Sequence, residues 1–306
     1  MSLETHIDSE LEAVGLEIRK LDPNGLSTGR VLRDTLDQLY DGQRTGRYRF
    51  DQLFKTEKTH CGTLVEINLQ REFGFADGTL LDYKIGGIEV DCKYSQTLGG
   101  WMIPPEARQH ICLILWAEDS DAPKWSMGLV RVTDENLNSG GNRDLKSTLN
   151  AAGRNSIQWL FKDAPLPPNV LLQLDRKDVD RIMAQKSGQQ RINELFRSAL
   201  CRIVSRAVVA TVAIQDDYMK RVRTNGGART ALQKEGIIIL GQYDSHARIA
   251  QALGVPAPSR GDSVSVRVVQ TTNPGDGVAQ IGDKFWIKAR PNDPVERAPD
   301  LPKIQP

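Results

Sequence analysis

Leu11, Val14, Leu16 and Ile18 recur at helical spacing over residues 7–21 and predict an amphipathic surface helix that stops at the turn-forming Asp22-Pro23-Asn24-Gly25. A second helix is predicted from the capping residues Ser27 and Thr28 through Val31, Leu32, Leu36 and Leu39, with Asp41-Gly42 ending it. A third covers residues 62–73, with Leu64, Val65, Leu69 and Phe73 facing inward. After Asp77-Gly78 the period changes to two. Residues 80–85 and 88–95 read as strands of a hairpin, joined by Gly86-Gly87. The unbroken apolar run at 110–117 predicts a strand covered on both faces, and 125–132 predicts its antiparallel neighbour. Helices over 142–149 and 156–161 are expected to cover the sheet.

Residues 162–168 hold Pro165, Pro167 and Pro168, cannot continue a helix, and are expected to be a linker between domains 1–161 and 169–306. Helices are predicted over 176–185 and 192–203 and in the stretch up to Arg223, then an apolar run at 237–240, a helix over 245–253, and strands over 263–270 and 284–289. Helices followed by short strands fit a winged-helix module. Five prolines from Pro291 to Pro306 predict an extended or disordered tail from about residue 291.

A length of 306 residues with 39% hydrophobic content suffices for two ordinary cores. The formal net charge of +1 conceals a local bias: residues 186–229 carry nine Lys or Arg against three acids, which suits a polyanionic partner as well as a solvated helix face. Four scattered cysteines and four scattered histidines give no zinc pattern and no disulfide framework. With neither a signal peptide nor an apolar stretch of membrane-spanning length, the expectation is a protein of the reducing cytoplasm without membrane contact.

The candidate chemistry lies in Asp82, Asp91 and Lys93 on the hairpin, with Glu66 on the preceding helix. Alternation along a strand puts Asp91 and Lys93 on one face, with Val90 and Cys92 on the other. Two converging carboxylates, aided by the main-chain carbonyl of Cys92, can hold a hard cation such as Mg2+. Phosphodiester hydrolysis requires such parts: the attacking water must lose a proton, and charge on phosphorus must be neutralised. An acid two before a lysine also occurs at Asp82-Tyr83-Lys84, Asp144-Leu145-Lys146 and Asp175-Arg176-Lys177. The triplet therefore does not select a site by itself, and paired charges on a hairpin surface are the competing reading.

Residues 31–47, 55–60 and 62–69, with Val90-Asp91-Cys92-Lys93, resemble the NaeI family of type II restriction endonucleases, and the match resumes at 216–223 and 226–229. The resemblance implies an α/β and α+β protein with a restriction-endonuclease-like core, a mixed sheet flanked by helices. A C-terminal winged-helix domain like that of the catabolite activator protein follows. It implies catalysis by Glu66, Asp82, Asp91 and Lys93, with Mg2+ on Glu66, Asp82, Asp91 and Cys92. It also implies a homodimer in a restriction-modification system that binds two copies of double-stranded DNA, one as substrate and one as allosteric effector. The expected target is a GC-rich palindrome, GCCGGC.

Leu39-Tyr40-Asp41-Gly42 resembles the Lys-x-Asp-Gly nucleotide-attachment motif of DNA ligases, with leucine where the nucleophilic amine belongs. Adenylation is excluded there, and no nucleotide cofactor is expected. In the NaeI family a lysine at this position goes with topoisomerase and recombinase behaviour, so Leu39 is read as suppressing religation, beside its plain reading as a buried helix residue. Arginine suits a GC-rich target because it binds guanine in two-pronged fashion, and Lys220, Arg221, Arg223 and Arg229 are the candidate DNA contacts. Gly99-Gly100-Trp101 is read as a DNA-facing loop or as core. A non-catalytic DNA-binding regulator and a repair nuclease with the same core remain the alternatives at this point.

Overall fold

The computed structural model describes residues 8–140 and 143–302. Ile7 and Asn142, at the starts of two predicted helices, and residues 303–306 of the predicted tail lie outside the described residues. In chain order the helices are α1 (Ser9–Leu21), α2 (Leu26–Tyr40), α3 (Gly42–Thr45), α4 (Lys55–Phe73), α5 (Ala151–Asn155), α6 (Val170–Gln173), α7 (Arg176–Met183), α8 (Gly188–Ser198), α9 (Arg206–Ala213), α10 (Ala228–Gln233) and α11 (Asp244–Ala252). The strands are β1 (Ala76–Asp77), β2 (Tyr83–Ile85), β3 (Ile88–Ser95), β4 (Ile111–Glu118), β5 (Lys124–Arg131), β6 (Gln158–Pro165), β7 (Ile203–Val204), β8 (Ile237–Leu240), β9 (Ser263–Thr271), β10 (Val278–Ile281) and β11 (Lys284–Lys288). The chain divides into two compact units, Met1–Leu39 with Leu53–Pro167, and Tyr40–Gln52 with Pro168–Pro306.

The first unit is built on a six-stranded mixed sheet in the order β1-β2-β3-β4-β5-β6, in which only β3 and β4 run parallel. Asp8 caps α1 by accepting the Leu11 N–H, and the buried Asp22 carboxylate accepts the N–H groups of Ser27 and Thr28 and so fixes the entry to α2. α4 starts seven residues before the expected Gly62, because the Glu57 carboxylate caps the Phe54 N–H and its polar first turns hide the helical period. Gly86 and Gly87 both have positive φ, 60° and 84°, as a tight hairpin turn requires. β4 is buried from Ile111 to Ala117, as its unbroken apolar run predicts.

Three expectations for this unit are corrected. Residues 156–161 do not form a helix: Gln158–Pro165 is β6, whose aromatic Trp159 and Phe161 suit a pleated surface, and it carries the expected linker residues 162–165 into the sheet. Residues 143–149 do not form a helix: 143–144 make a turn, Ser147 exchanges backbone hydrogen bonds with Ile103, and Leu149 bridges Leu137. Leu80–Asp82 make a bend instead of the start of β2. Trp101 is core, 1% exposed, with its indole N–H donated to the Leu115 carbonyl at 2.7 Å, so it does not face DNA.

The second unit packs helices on a smaller sheet ordered β10-β11-β9-β7, with β8 also on β9. β8 is buried along its length and serves two cores: Ile237 and Ile239 join Ile192, Phe196 and Val208, whereas Ile238 and Leu240 join Ile249, Val266 and Trp286. α3 lies on α9 so closely that a Cβ on Gly42 would overlap Thr211 Oγ1. The tail is extended through Pro302 and docked: Ala298 is buried and donates its N–H to the Gln233 carbonyl, and the Gln233 side chain donates to Asp300. Among the described residues no helix is long and apolar enough to cross a membrane.

Candidate active site

The hairpin of β2 and β3 places three of the four candidate residues together. β2 begins at Tyr83, opposite Val90, so Cys92 of β3 lies beyond the paired length and its N–H finds no partner in β2. The Asp82 carboxylate takes that N–H through Oδ2 at 2.7 Å, which fixes the acid at the open end of the hairpin. Asp91 and Lys93 share a face of β3, and Lys93 Nζ donates to Asp91 Oδ1 at 2.7 Å, to the Cys92 carbonyl at 2.8 Å and to Asp82 Oδ2 at 3.4 Å. Two acids from either side of a turn and one main-chain carbonyl thus surround a single cationic atom.

The parallel pairing of β3 with β4 sets Asp91 opposite Cys112, whose thiol donates to Asp91 Oδ2 at 3.2 Å. Asp91 is only 3% exposed, and burial pushes its carboxyl up, against the opposing pull of the Lys93 ammonium. Burial works against the Lys93 charge as well, but the Asp91 and Asp82 carboxylates prevail and hold the amine above its ordinary range. Glu66 on α4 is also pushed up, first by burial and then by the Asp82 charge, while Lys93 counters. Tyr83 ties that helix to the hairpin, its hydroxyl donating to the Glu66 carbonyl at 2.6 Å. Cys112 and Tyr83 carry no sequence signal beyond their place in buried strands, since their roles arise from pairing.

Among the described residues no three Asp, Glu, His or Cys side chains form a ready-made metal cage. What the site offers is an all-oxygen set, the Asp82 and Asp91 carboxylates and the Cys92 carbonyl, converging on the Lys93 cation, with Glu66 in their field. Hard divalent ions take oxygen ligands of this kind, so the residues present fit one.

The other candidates have different surroundings. Leu39, in the last turn of α2, is a buried core residue, 7% exposed, and Gly42 of the ligase-like motif has the packing reason given above. Arg221 and Lys220 pair with Asp217 at 3.2 and 3.5 Å in a 3-10 turn over Tyr218–Arg221. Arg229 is half-buried and donates to the Ile239 carbonyl, which makes it a brace of β8. Arg223 is exposed.

The family model for the restriction endonuclease NaeI matches residues 12–297 of the chain. A relative described as the type II restriction enzyme NaeI, from Lentzea aerocolonigenes, is 51% identical over 305 residues, covering 97% of this chain and 95% of its own length.

Proposed function

Because the chain belongs to the restriction endonuclease NaeI family and is a site-specific deoxyribonuclease, we propose that its Glu66, Asp82, Asp91 and Lys93 are the groups that hydrolyse the phosphodiester bond. The observation that carries this assignment is the convergence of Asp82 Oδ2, Asp91 Oδ1 and the Cys92 carbonyl on Lys93 Nζ within 3.4 Å. Solvated hairpin charges, the competing reading, fit poorly with an Asp91 that is 3% exposed.

Type II restriction endonucleases generally use a divalent metal, and Mg2+ is the ion proposed here, held by Asp82, Asp91 and the Cys92 carbonyl with Glu66 beside them. Such an ion supplies a Lewis acid that lowers the pKa of water and offsets charge on the phosphoryl oxygens. Lys93 presents its ammonium to the scissile phosphate, orients the attacking water and stabilises the negative charge that grows there. Asp91, fixed by the Cys112 thiol, keeps Lys93 on the correct face. Leu39 offers no amine to capture a DNA end, so the reaction stops at hydrolysis; Leu39→Lys is expected to yield relaxed or rejoined plasmid, and its absence counts against this role.

In the second unit, α8 and α9 followed by α10 and the small sheet support a winged-helix DNA-binding module that takes an effector copy of the target. The enzyme is proposed to act as a homodimer on the palindrome GCCGGC, its two-fold symmetry matching that of the site. Fragment ends sequenced after digestion of a random DNA pool test this reading. A single GC-rich palindrome at every end, lost on addition of EDTA, is expected. Heterogeneous ends would favour a repair nuclease, and binding without cutting a regulator.

A further inference from the structure

Asp82 is delivered by a bend whose shape has a definite cause. The N–H groups of Thr79, Leu80 and Leu81 all point at one carboxylate: Glu89 Oε1 accepts from Thr79 at 2.8 Å, and Oε2 accepts from Leu80 at 3.2 Å and Leu81 at 3.0 Å. Glu89 sits on β3, opposite Lys84 of β2, whose ammonium lies 3.3 Å from the same carboxylate. The Gly78 N–H closes the bend on the Asp82 carbonyl at 3.3 Å, and a Cβ on Gly78 would overlap the Leu81 carbonyl oxygen and meet Glu89 Oε2 at 2.9 Å. Three convergent N–H dipoles repel one another unless an anion stands at their focus.

We propose that Glu89 is a positioning residue for Asp82: its carboxylate folds residues 79–81 into the bend that sets the Asp82 oxygens against the Cys92 N–H and Lys93. The inference rests on the reading of Asp82 as a metal-holding acid and adds what holds that acid in place. Glu89 touches neither the Lys93 amine nor the Asp91 carboxylate; its effect reaches the reaction only through the backbone of the bend. Glu89→Gln removes the charge and sets an NH2 among donors already in place, and Glu89→Ala leaves those donors without an acceptor, so either change releases the bend.

The test is direct Mn2+ binding to the full-length enzyme without DNA, followed by paramagnetic resonance, together with the Mg2+ dependence of plasmid cleavage, for wild type, Glu89→Gln, Glu89→Ala, Glu89→Asp and Asp82→Ala. The Glu89 variants are expected to weaken Mn2+ binding and to move the Mg2+ half-saturation point upward by about 10–100-fold, the usual consequence of losing a group that orients a ligand. Excess Mg2+ restores much of kcat, and KM for DNA stays near the wild-type value. Glu89→Asp keeps the charge and the fold but is a methylene too short to meet all three donors, so it reports the effect even if the other two variants unfold. Wild-type Mn2+ affinity in folded Glu89 variants overturns the inference, as does a loss of cleavage that no Mg2+ concentration restores. Unchanged Mn2+ binding in Asp82→Ala refutes instead the assignment of Asp82 as a metal-holding acid.

Discussion

A carboxylate buried as deeply as Asp91 is costly unless its charge is met, and here the two oxygens are met differently: Lys93 serves one and the Cys112 thiol the other. Burial first, and then the Asp91 carboxylate, push the Cys112 thiol well above its ordinary value, so it remains S–H and keeps donating. Cys112→Ala is accordingly expected to lower kcat by about 10-fold with DNA affinity unchanged, while Cys112→Ser, which retains a donor, recovers part of the loss. Steady-state cleavage of a defined duplex measures both, and equal rates for wild type and Cys112→Ala would dismiss the thiol. The alternation of β3 makes the Asp91 and Lys93 pair legible in the sequence. Cys112 and Glu89 are not legible there, because one acts through a parallel pairing 21 residues distant in sequence and the other through backbone donors.

Elements with a clean period were legible: α1, α2, β3, β4, β5 and β9 stand close to their expected bounds, and the hairpin turn at Gly86-Gly87 stands where expected although β2 starts only at Tyr83. β6 and residues 143–149 were not, since short mixed runs take their conformation from the edges they pair with, here β5 and the backbone of Ile103. α2 carries a further consequence. Its Arg33 is bridged by Asp37 at 2.8 Å and by Asp119 at 2.6 Å, so two buried acids share one guanidinium. Burial chiefly, opposed by Arg33 and reinforced by Asp119, raises the Asp37 carboxyl to about 6. Its folded value thus exceeds its unfolded one, and folding takes up a proton there. The cost of the ionised group is fully present above pH 6 and fades as pH falls toward 4. Denaturant unfolding at pH 7.5 and 4.5 should show the difference in stability between wild type and Asp37→Asn shifting in favour of wild type at the lower pH, by about 2 kcal/mol. A pH-independent difference would refute the assignment.

Across the whole molecule, a net charge of +1 says little about partners, whereas the basic bias of residues 186–229 says more once the internal pairs are removed. Lys220 and Arg221 are engaged by Asp217 and Arg229 by Ile239, which leaves the exposed Arg223 as the best-placed cation of the four for phosphate. Arg223→Ala is expected to weaken DNA binding about equally on all sequences and to reduce the slope of log K against log salt by about one, as titrations at several salt concentrations will reveal. Loss confined to one target sequence would mark it as a base reader instead. The central claim, that the cluster at the open end of the β2–β3 hairpin cuts DNA, is tested most directly by Asp91→Asn, a nearly isosteric change, assayed for cleavage and binding on one plasmid substrate with Mg2+ present. Wild type should yield discrete fragments and Asp91→Asn none while still binding the plasmid; cutting by Asp91→Asn at the wild-type rate would contradict the account.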